Sequence, residues 1–201
     1  MTLSPFLQRT RRLALQPFIF PLAAPARIAA IGVDFRAAGN LRHFSMFDGA
    51  ALCSWTPDVL VLPLGAALTL ADRRKRGALE LPALSTAIVV LTSFAETPLD
   101  LHHREELWRV FGVPVFEQLR GWDGHVIARE CEVHDGLHID QSRGPFRLQR
   151  NELLAPLQLP VRTGLSGKIV TAHCECGAET PRLCDLFRLE REPLDEPAAA
   201  A

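Results

Sequence analysis

Two short groups of cysteine and histidine residues, far apart in the chain, carry the side chains best suited to bind a metal ion. The first is Cys131-x-x-His134, and the second is Cys174-x-Cys176, which Gly177 follows directly. Zn²⁺ prefers thiolate and imidazole ligands in a tetrahedral arrangement, and each short spacing lets one tight turn direct two side chains at one point. The glycine lets backbone N–H groups approach the sulfur atoms. The spacing therefore predicts one structural zinc ion per chain, bound by Cys131, His134, Cys174 and Cys176.

Neighbouring residues leave the ligand set open at individual positions. His173, His138 and Cys184 could each replace one of the four ligands. The alternative interpretation is that small buried thiols and a histidine fall near one another without a metal. Cys53 stands alone and is expected in the core, where unpaired cysteines are common.

The composition limits the classes of function. The chain has 201 residues, of which 48% are hydrophobic and 22% charged, as in a soluble globular protein. Its formal net charge of −1 gives no positive field to hold phosphate backbones, so nucleic-acid binding is not expected. Five cysteines at low density are typical of reduced thiols or metal ligands, which favours a cytoplasmic location.

An uncharged stretch near the N-terminus could be taken for a signal peptide, because it follows Arg9, Arg11 and Arg12. The stretch, Leu13 to Ala26, is shorter than the about 20 residues that a membrane span needs, and prolines interrupt it. We therefore predict no membrane span. Residues 1–27 are instead expected to form an extended arm on the domain surface, with Phe18, Ile19 and Phe20 packed against it.

Apolar runs alternate with helical patterns in the first two-thirds of the chain. The predicted strands are 28–33, 59–62, 87–91 and 113–116, and the predicted helices run from 66 to 76 before Gly77 and from an Asp100 N-cap to Gly112. This order is typical of right-handed βαβ units, so residues 28–124 are predicted to form an α/β region with a parallel sheet.

The pattern changes to short alternating segments after residue 124. A hairpin is expected from Val126 to Ile139 around an Asp135-Gly136 turn, with further strands at 153–161 and 167–171. Residues 125–189 are therefore predicted to form a smaller, mostly β region that bears the zinc. Residues 190–201, charged and rich in proline and alanine, are predicted to be a disordered tail.

The stretch from about Leu84 to Leu183 resembles the phenylacetate-CoA ligase-like branch of the AMP-forming, adenylate-forming ligases. The matching segments are Phe111-Gly112-Val113-Pro114-Val115-Phe116-Glu117, Glu130-Cys131-Glu132-x-His134-x-Gly136-Leu137-His138-Ile139, Arg162-Thr163-Gly164 and Cys174-x-Cys176-Gly177-x-x-x-Pro181-Arg182-Leu183. Members of that branch whose sequences resemble these segments bind zinc through such cysteine and histidine residues.

The departures from the family pattern concern the nucleotide site. The family has an aromatic-Gly-x-Thr-Glu motif whose Glu helps to hold magnesium. In this chain the corresponding residues are Arg120, Gly121, Trp122, Asp123 and Gly124, with Gly124 at the position of the Glu. After Arg162, Thr163 and Gly164 the family has an Asp that binds the ribose, and this chain has Leu165. The phosphate loop and the lysine-bearing lid are also absent from the sequence, so no catalytic residue is assigned.

Three other features have a simpler explanation than a functional site. The cations of Arg73 to Arg76 suit the C-terminal turn of a helix better than a nucleic-acid patch. The adjacent His102 and His103 point about 100° apart on a helix, which disfavours a shared metal. Asp123, near His125, could act as a displaced acid in a remodelled pocket, although acidic residues are common beside glycine in turns.

Three functions are compatible with these observations. The first is a non-catalytic, zinc-binding relative of the phenylacetate-CoA ligases that acts as a binding or partner protein. The second is a remodelled or split acyl-CoA ligase or transferase that needs a partner chain for its ATP site. The third is a zinc-ribbon-like interaction module. Expected partners are a larger ligase-like chain or a second copy of this chain.

Overall fold

The computed structural model describes residues 15–22, 27–36, 38–45, 48–156 and 160–190. The strands in these ranges are β1 (Ile28–Ile31), β2 (Leu41–Phe44), β3 (Val59–Pro63), β4 (Ala87–Ser93), β5 (Val115–Arg120), β6 (Val126–Glu130), β7 (Leu137–Ile139), β8 (Arg147–Gln149), β9 (Glu152–Ala155), β10 (Val161–Arg162), β11 (Leu165–Val170) and β12 (Arg182–Arg188). The α-helices are α1 (Gly49–Trp55), α2 (Leu64–Lys75) and α3 (Leu101–Phe111).

One large mixed sheet organises the protein. Its nine strands follow the order β11-β12-β7-β6-β5-β4-β3-β1-β2. Strands β2, β1, β3, β4 and β5 are parallel, whereas every pairing from β5 to β11 is antiparallel. The sheet therefore continues without a break across residue 124, where the sequence pattern changes. Strands β8, β9 and β10 form a separate antiparallel sheet.

The predicted βαβ units are confirmed. Strand β3 and residues 87–91 of β4 are continuous apolar runs, and both strands are buried along almost their whole length, as expected for parallel strands covered on both faces. Helix α3 begins where Asp100 accepts a hydrogen bond from the backbone of His103 and ends at Gly112, which has a left-handed conformation. Helix α2 ends at Arg76 and Gly77, so its cations lie at the negative end of the helix dipole.

The two faces of the parallel strands are covered differently. Helices α1, α2 and α3 pack on one face, and the extended residues 15–22 pack on the other through Phe18, Phe20 and Leu22. The carbonyl of Ile19 accepts a hydrogen bond from Gln118 Nε2 at 2.8 Å, but the Ile19 side chain is 50% exposed, contrary to the prediction. The rest of the predicted arm, 1–14 and 23–26, and the predicted tail beyond Glu190 lie outside the described residues.

The connection between β6 and β7 is longer than the predicted two-residue turn. It spans residues 131–136 and contains a turn closed by a hydrogen bond from the His134 N–H to the Cys131 carbonyl, at 3.1 Å. Gly136 has a φ of +84°, and a Cβ there would come within 2.8 Å of the Leu183 carbonyl oxygen. Glycine is required at this position because strand β12 packs directly against the turn.

Candidate metal centre

Four side chains from two separate segments converge beside strand β7. They are Cys131, His138, Cys174 and Cys176, and their ligand atoms all lie within 4.8 Å of one another. Cys131 directly follows β6, and His138 is the middle residue of β7. Cys174 and Cys176 lie in the loop between β11 and β12, where the Gly177 N–H donates to the Cys174 carbonyl at 2.9 Å. These four residues can hold one metal ion.

The spacing of these atoms fits a tetrahedral zinc ion. With zinc–sulfur and zinc–nitrogen bonds of about 2.3 and 2.05 Å, tetrahedral geometry requires sulfur–sulfur separations of about 3.8 Å and sulfur–nitrogen separations of about 3.6 Å. The Sγ atoms of Cys131 and Cys174 are 3.7 Å apart. Cys176 Sγ lies 3.4 Å from His138 Nε2. Four protein ligands would leave no position for substrate, which is typical of a structural site.

Backbone hydrogen bonds favour the thiolate form of two of the cysteines. A hydrogen bond from the backbone of Cys176 lowers the pKa of the Cys174 thiol. Burial raises the pKa of Cys131 to about 12, although a hydrogen bond from the backbone of Val133 acts in the opposite direction. Metal binding deprotonates thiols, so these N–H groups would stabilise the sulfur atoms in the loaded site.

His138 is held in the orientation and charge state that a ligand needs. Its Nδ1 lies 2.9 Å from Thr180 Oγ1, while Nε2 faces Cys176. A hydrogen bond at Nδ1 fixes the imidazole orientation and leaves Nε2 available for a metal. Burial also lowers the pKa of His138, which favours the neutral form that binds metals.

The structure places His134 apart from the other three predicted ligands. The His134 ring stacks on Phe116 with centroids 4.5 Å apart, and its Nδ1 lies 3.3 Å from Glu130 Oε1. Glu130 is buried and also accepts hydrogen bonds from Arg104 and from the Glu117 backbone. His134 therefore belongs to a polar network between α3 and the sheet. His138 takes its place in the metal group, one of the alternatives that the sequence left open.

The remaining cysteine and histidine candidates lie outside the group. His173 is exposed, and Cys184 is half-buried near the Asp135 carbonyl. Burial raises the pKa of the Cys184 thiol. Cys53 packs against the helical side of the core, as predicted, and its Sγ lies 3.0 Å from the Glu80 carbonyl.

The loop that resembles the aromatic-Gly-x-Thr-Glu motif connects β5 to β6. Gly121 and Gly124 close it through backbone hydrogen bonds. Arg120 is the last residue of β5, and its Nε is buried without a hydrogen-bond partner in the described ranges.

Asp123 Oδ2 lies 2.5 Å from Arg143 and 3.3 Å from His125 Nδ1. Hydrogen bonds from the His125 backbone and Arg143 outweigh burial and hold the Asp123 pKa below its usual value.

A cleft with an aromatic wall lies beside this loop. Phe94, just after β4, and Trp122 pack with ring centroids 4.4 Å apart. The cleft has a volume of about 350 Å³ and is also lined by Gly121, Asp123, Ile127, Arg143, Ala155 and Pro156. It lies beyond the carboxyl ends of the parallel strands β4 and β5, the edge where open α/β sheets usually bind ligands.

The second segment of the expected nucleotide site has a structural role. Thr163 Oγ1 donates to the Leu153 carbonyl at 2.7 Å and accepts from the Leu165 N–H at 3.1 Å. The Gly164 N–H donates to Glu152 Oε1 at 2.9 Å, and the other oxygen of Glu152 pairs with Arg162 at 3.5 Å. Leu165, at the position of the ribose-binding Asp, is 0% exposed and packs in the core.

No protein-family model matches the chain, and no curated protein is similar to it in sequence. The structure is similar to 2-hydroxyisobutyryl-CoA ligase in an open conformation with 2-HIB-AMP and CoA, with a TM-score of 0.63 at 13% identity over 82% of this chain and 45% of the ligase. The same ligase with R3-HIB-AMP in the postadenylation state gives a TM-score of 0.61 at 14% identity over 82% and 44%.

In the thioesterification state, with 2-HIB-AMP and CoA, the TM-score is 0.59 at 14% identity over 88% of this chain and 44% of the ligase. The chain has the fold of an acyl-CoA ligase. It spans less than half the length of these ligases. This likeness concerns the fold, and the phenylacetate-CoA ligase branch remains a sequence-based prediction. No helix among the described residues is long and apolar enough to cross a membrane.

Proposed function

We propose that this chain is a zinc-containing relative of the phenylacetate-CoA ligases that does not adenylate substrates and acts as a binding or partner protein. The observation that carries the proposal is the burial of Leu165. Its side chain is 0% exposed and contacts other core residues, so no group at this position can reach a ribose hydroxyl. A leucine side chain also has no hydrogen-bond acceptor.

The β5–β6 loop supports the same conclusion. Gly124, at the position of the magnesium-binding Glu, has no side chain and a φ of +77°. The nearby carboxylate of Asp123 pairs with Arg143, which opposes its use as a magnesium ligand. Electrostatic stabilisation is usually the largest contribution to catalysis of phosphoryl and acyl transfer, so the loss of these groups disfavours adenylation.

The zinc ion has a structural role in this proposal. Its ligands join the β6–β7 connection to the loop between β11 and β12. A closed Cys₃His set stabilises the folded state because the unfolded chain has no preformed site. Binding of other molecules would then use the cleft beside Phe94 and Trp122, which has an apolar wall and a charged end at Asp123 and Arg143.

One observation favours the second function, a remodelled or split ligase or transferase. Asp123 and Arg143 line the cleft and both contact His125, and such a group can exchange protons with a bound molecule. The chain covers less than half of the ligases that it resembles. In this second function, a partner chain would supply the phosphate-binding part. Activity that appears only with a second chain would distinguish this function from the first.

The experiment is a pyrophosphate-release assay on zinc-loaded protein with ATP, Mg²⁺, CoA and a panel of carboxylic acids. We expect no release that depends on the acid, whereas 2-hydroxyisobutyryl-CoA ligase with its own acid serves as the positive control. Acid-dependent release by this chain alone would overturn the proposal. Release that requires an added ligase-like chain would support the split-enzyme alternative.

A further inference from the structure

Arg182 is buried beside the metal centre, although it is not one of the candidate ligands. It is 2% exposed and lies on β12, where it is the direct antiparallel partner of His138 on β7. Directly opposite residues of an antiparallel pair point to the same face of a sheet. Arg182 and His138 therefore share the face on which the metal ligands converge.

The guanidinium of Arg182 connects the two segments that carry the ligands. Its Nη1 donates to the Asp135 carbonyl at 3.0 Å and also contacts the Asp135 carboxylate. Its Nη2 donates to the Ala172 carbonyl at 3.3 Å. Asp135 lies between the ligands Cys131 and His138, and Ala172 lies two positions before Cys174. One planar guanidinium thus joins the β6–β7 connection to the β11–β12 loop.

The charge of Arg182 also complements the site. Three thiolates, one neutral imidazole and Zn²⁺ together carry a net charge of −1, and Cys174 lies close enough to Arg182 for electrostatic interaction. Arg182 Nε is buried with no hydrogen-bond partner in the part of the chain described. A buried positive group of this kind is costly unless a negative charge lies nearby. The largely exposed carboxylate of Asp135 supplies one such charge, and a zinc-thiolate centre would add a second.

We propose that Arg182 is a positioning residue of the metal centre, which aligns its two ligand segments and balances the negative charge of the zinc-bound thiolates. The inference rests on the zinc centre of the proposed function. It also gives a role to the Pro181-Arg182-Leu183 segment, which the ligand spacing alone does not explain. Outer-shell partners of metal ligands commonly affect metal affinity by about 10–100-fold when removed.

The test measures zinc affinity by competition with a chromophoric chelator and the absorption spectrum of the Co²⁺-substituted protein. We expect Arg182→Met to weaken zinc binding by about 10-fold or more and to alter the cobalt–thiolate bands. Arg182→Lys keeps the charge without the two-segment contact, so its affinity should fall between those of the parent protein and Arg182→Met. Asp135→Asn, at a largely exposed carboxylate, should weaken binding less than Arg182→Met.

Arg188 provides a matched control on the same strand. Its Nη2 donates to the carbonyls of Phe94 and Glu96, at 2.5 and 3.1 Å, which follow β4 and belong to neither of the two ligand segments. Like Arg182→Met, Arg188→Met removes hydrogen bonds from an arginine of β12 to backbone carbonyls of a loop. Unlike Arg182→Met, it should leave the zinc affinity and the absorption spectrum of the Co²⁺-substituted protein unchanged.

The outcomes separate this inference from the proposed zinc centre. If the parent protein binds no zinc, the zinc centre itself is wrong. If the parent protein binds zinc and Arg182→Met binds it with equal affinity and an unchanged cobalt spectrum, only the role of Arg182 is overturned. Equal losses in Arg182→Met and Arg188→Met would also overturn it, because the effect would then come from β12 stability. If Arg182→Met does not fold, weaker zinc binding by Arg182→Lys than by the parent supports the role of Arg182, and zinc affinities of Arg182→Lys and Asp135→Asn equal to that of the parent overturn it.

Discussion

The Sγ atoms of Cys131 and Cys174 lie 3.7 Å apart, although 43 positions separate the two residues. This contact brings together the two ends of a long segment of the chain. A metal ion bound by both sulfur atoms would hold those ends together in the zinc-loaded protein. A cross-link over a long loop restricts the unfolded chain more than one over a short loop. The metal centre is therefore expected to contribute strongly to the stability of the β-rich region.

The two histidines of the β6–β7 segment give a direct test of the ligand set. We expect His138→Ala to lose stoichiometric zinc, because Nε2 of His138 is the nitrogen that faces the sulfur atoms. His134→Ala should keep one zinc per chain, since the His134 ring stacks on Phe116 instead. Metal content after gel filtration measures both. Zinc loss in His134→Ala with retention in His138→Ala would reverse the assignment.

Chelation should destabilise the parent protein. We expect the melting temperature of zinc-loaded protein to fall when a strong chelator removes the metal, since binding free energy contributes to folding free energy. A Cys174→Ser, Cys176→Ser double variant should melt near the chelated parent and should not respond to chelator. A double variant with the metal content and melting temperature of the parent would show that the ligands lie elsewhere.

Buried Glu117 should make stability depend on pH. Burial raises its pKa above the usual 4.5, against hydrogen bonds from Thr92 and from the Leu99 backbone. The folded state then binds more protons than the unfolded state above about pH 4.5, so the free energy of unfolding should fall as pH rises through the raised pKa. Glu117→Gln keeps an acceptor for both hydrogen bonds and removes the titration.

We expect Glu117→Gln to match the parent protein in acid and to be more stable than it at neutral pH. Urea unfolding at several pH values measures this difference. A difference between the two proteins that stays constant from pH 4 to pH 8 would show that Glu117 does not titrate in this way.

The ion pair between Arg104, whose side chain is 26% exposed, and the buried Glu130 should contribute strongly to stability. Arg104 Nη2 lies 3.0 Å from Glu130 Oε1, and the Glu130 side chain is 4% exposed. Glu130→Ala leaves the charge of Arg104 and the N–H of Glu117 without their carboxylate partner. Loss of one partner of a buried pair costs about 3–5 kcal/mol, so the free energy of unfolding should fall by that amount.

The exposed pair of Asp72 on α2 and Arg76, the residue that caps the end of α2, serves as a control, with side chains 51% and 74% exposed. Asp72→Ala should change the free energy of unfolding by less than about 1 kcal/mol. Equal effects of Asp72→Ala and Glu130→Ala in denaturant unfolding would contradict the role of the buried pair.

The sequence predicts elements whose hydrophobic pattern is strong and whose ends carry clear signals. Strand β3 and residues 87–91 of β4 are unbroken apolar runs, and α3 has an N-cap aspartate and a C-terminal glycine. Strand β2 was not predicted, because the middle two of its four residues, Arg42 and His43, are exposed at the sheet edge. The seven-residue helix α1 is too short for a clear helical period.

Three members of the candidate metal group, Cys131, Cys174 and Cys176, are among the residues that spacing predicted, and the fourth depends on the direction of a side chain. His138 lies between Leu137 and Ile139, which pack in the core, so strand alternation turns its ring to the opposite face. That pattern was visible in the sequence and favours His138 over His134. The positions of Arg182 and of the Phe94–Trp122 cleft depend on strand pairing between distant segments, which spacing alone does not determine.

Calorimetric titration of the zinc-loaded chain with ATP and Mg²⁺ tests the central claim most directly. Leu165 is buried where the ribose-binding Asp is expected, and Gly124 replaces the magnesium-binding Glu. Loss of hydrogen bonds to charged groups costs about 1.5–3 kcal/mol each. The account predicts no one-to-one complex tighter than about 100 μM, which corresponds to about −5.5 kcal/mol. A saturable one-to-one ATP complex tighter than that would contradict it.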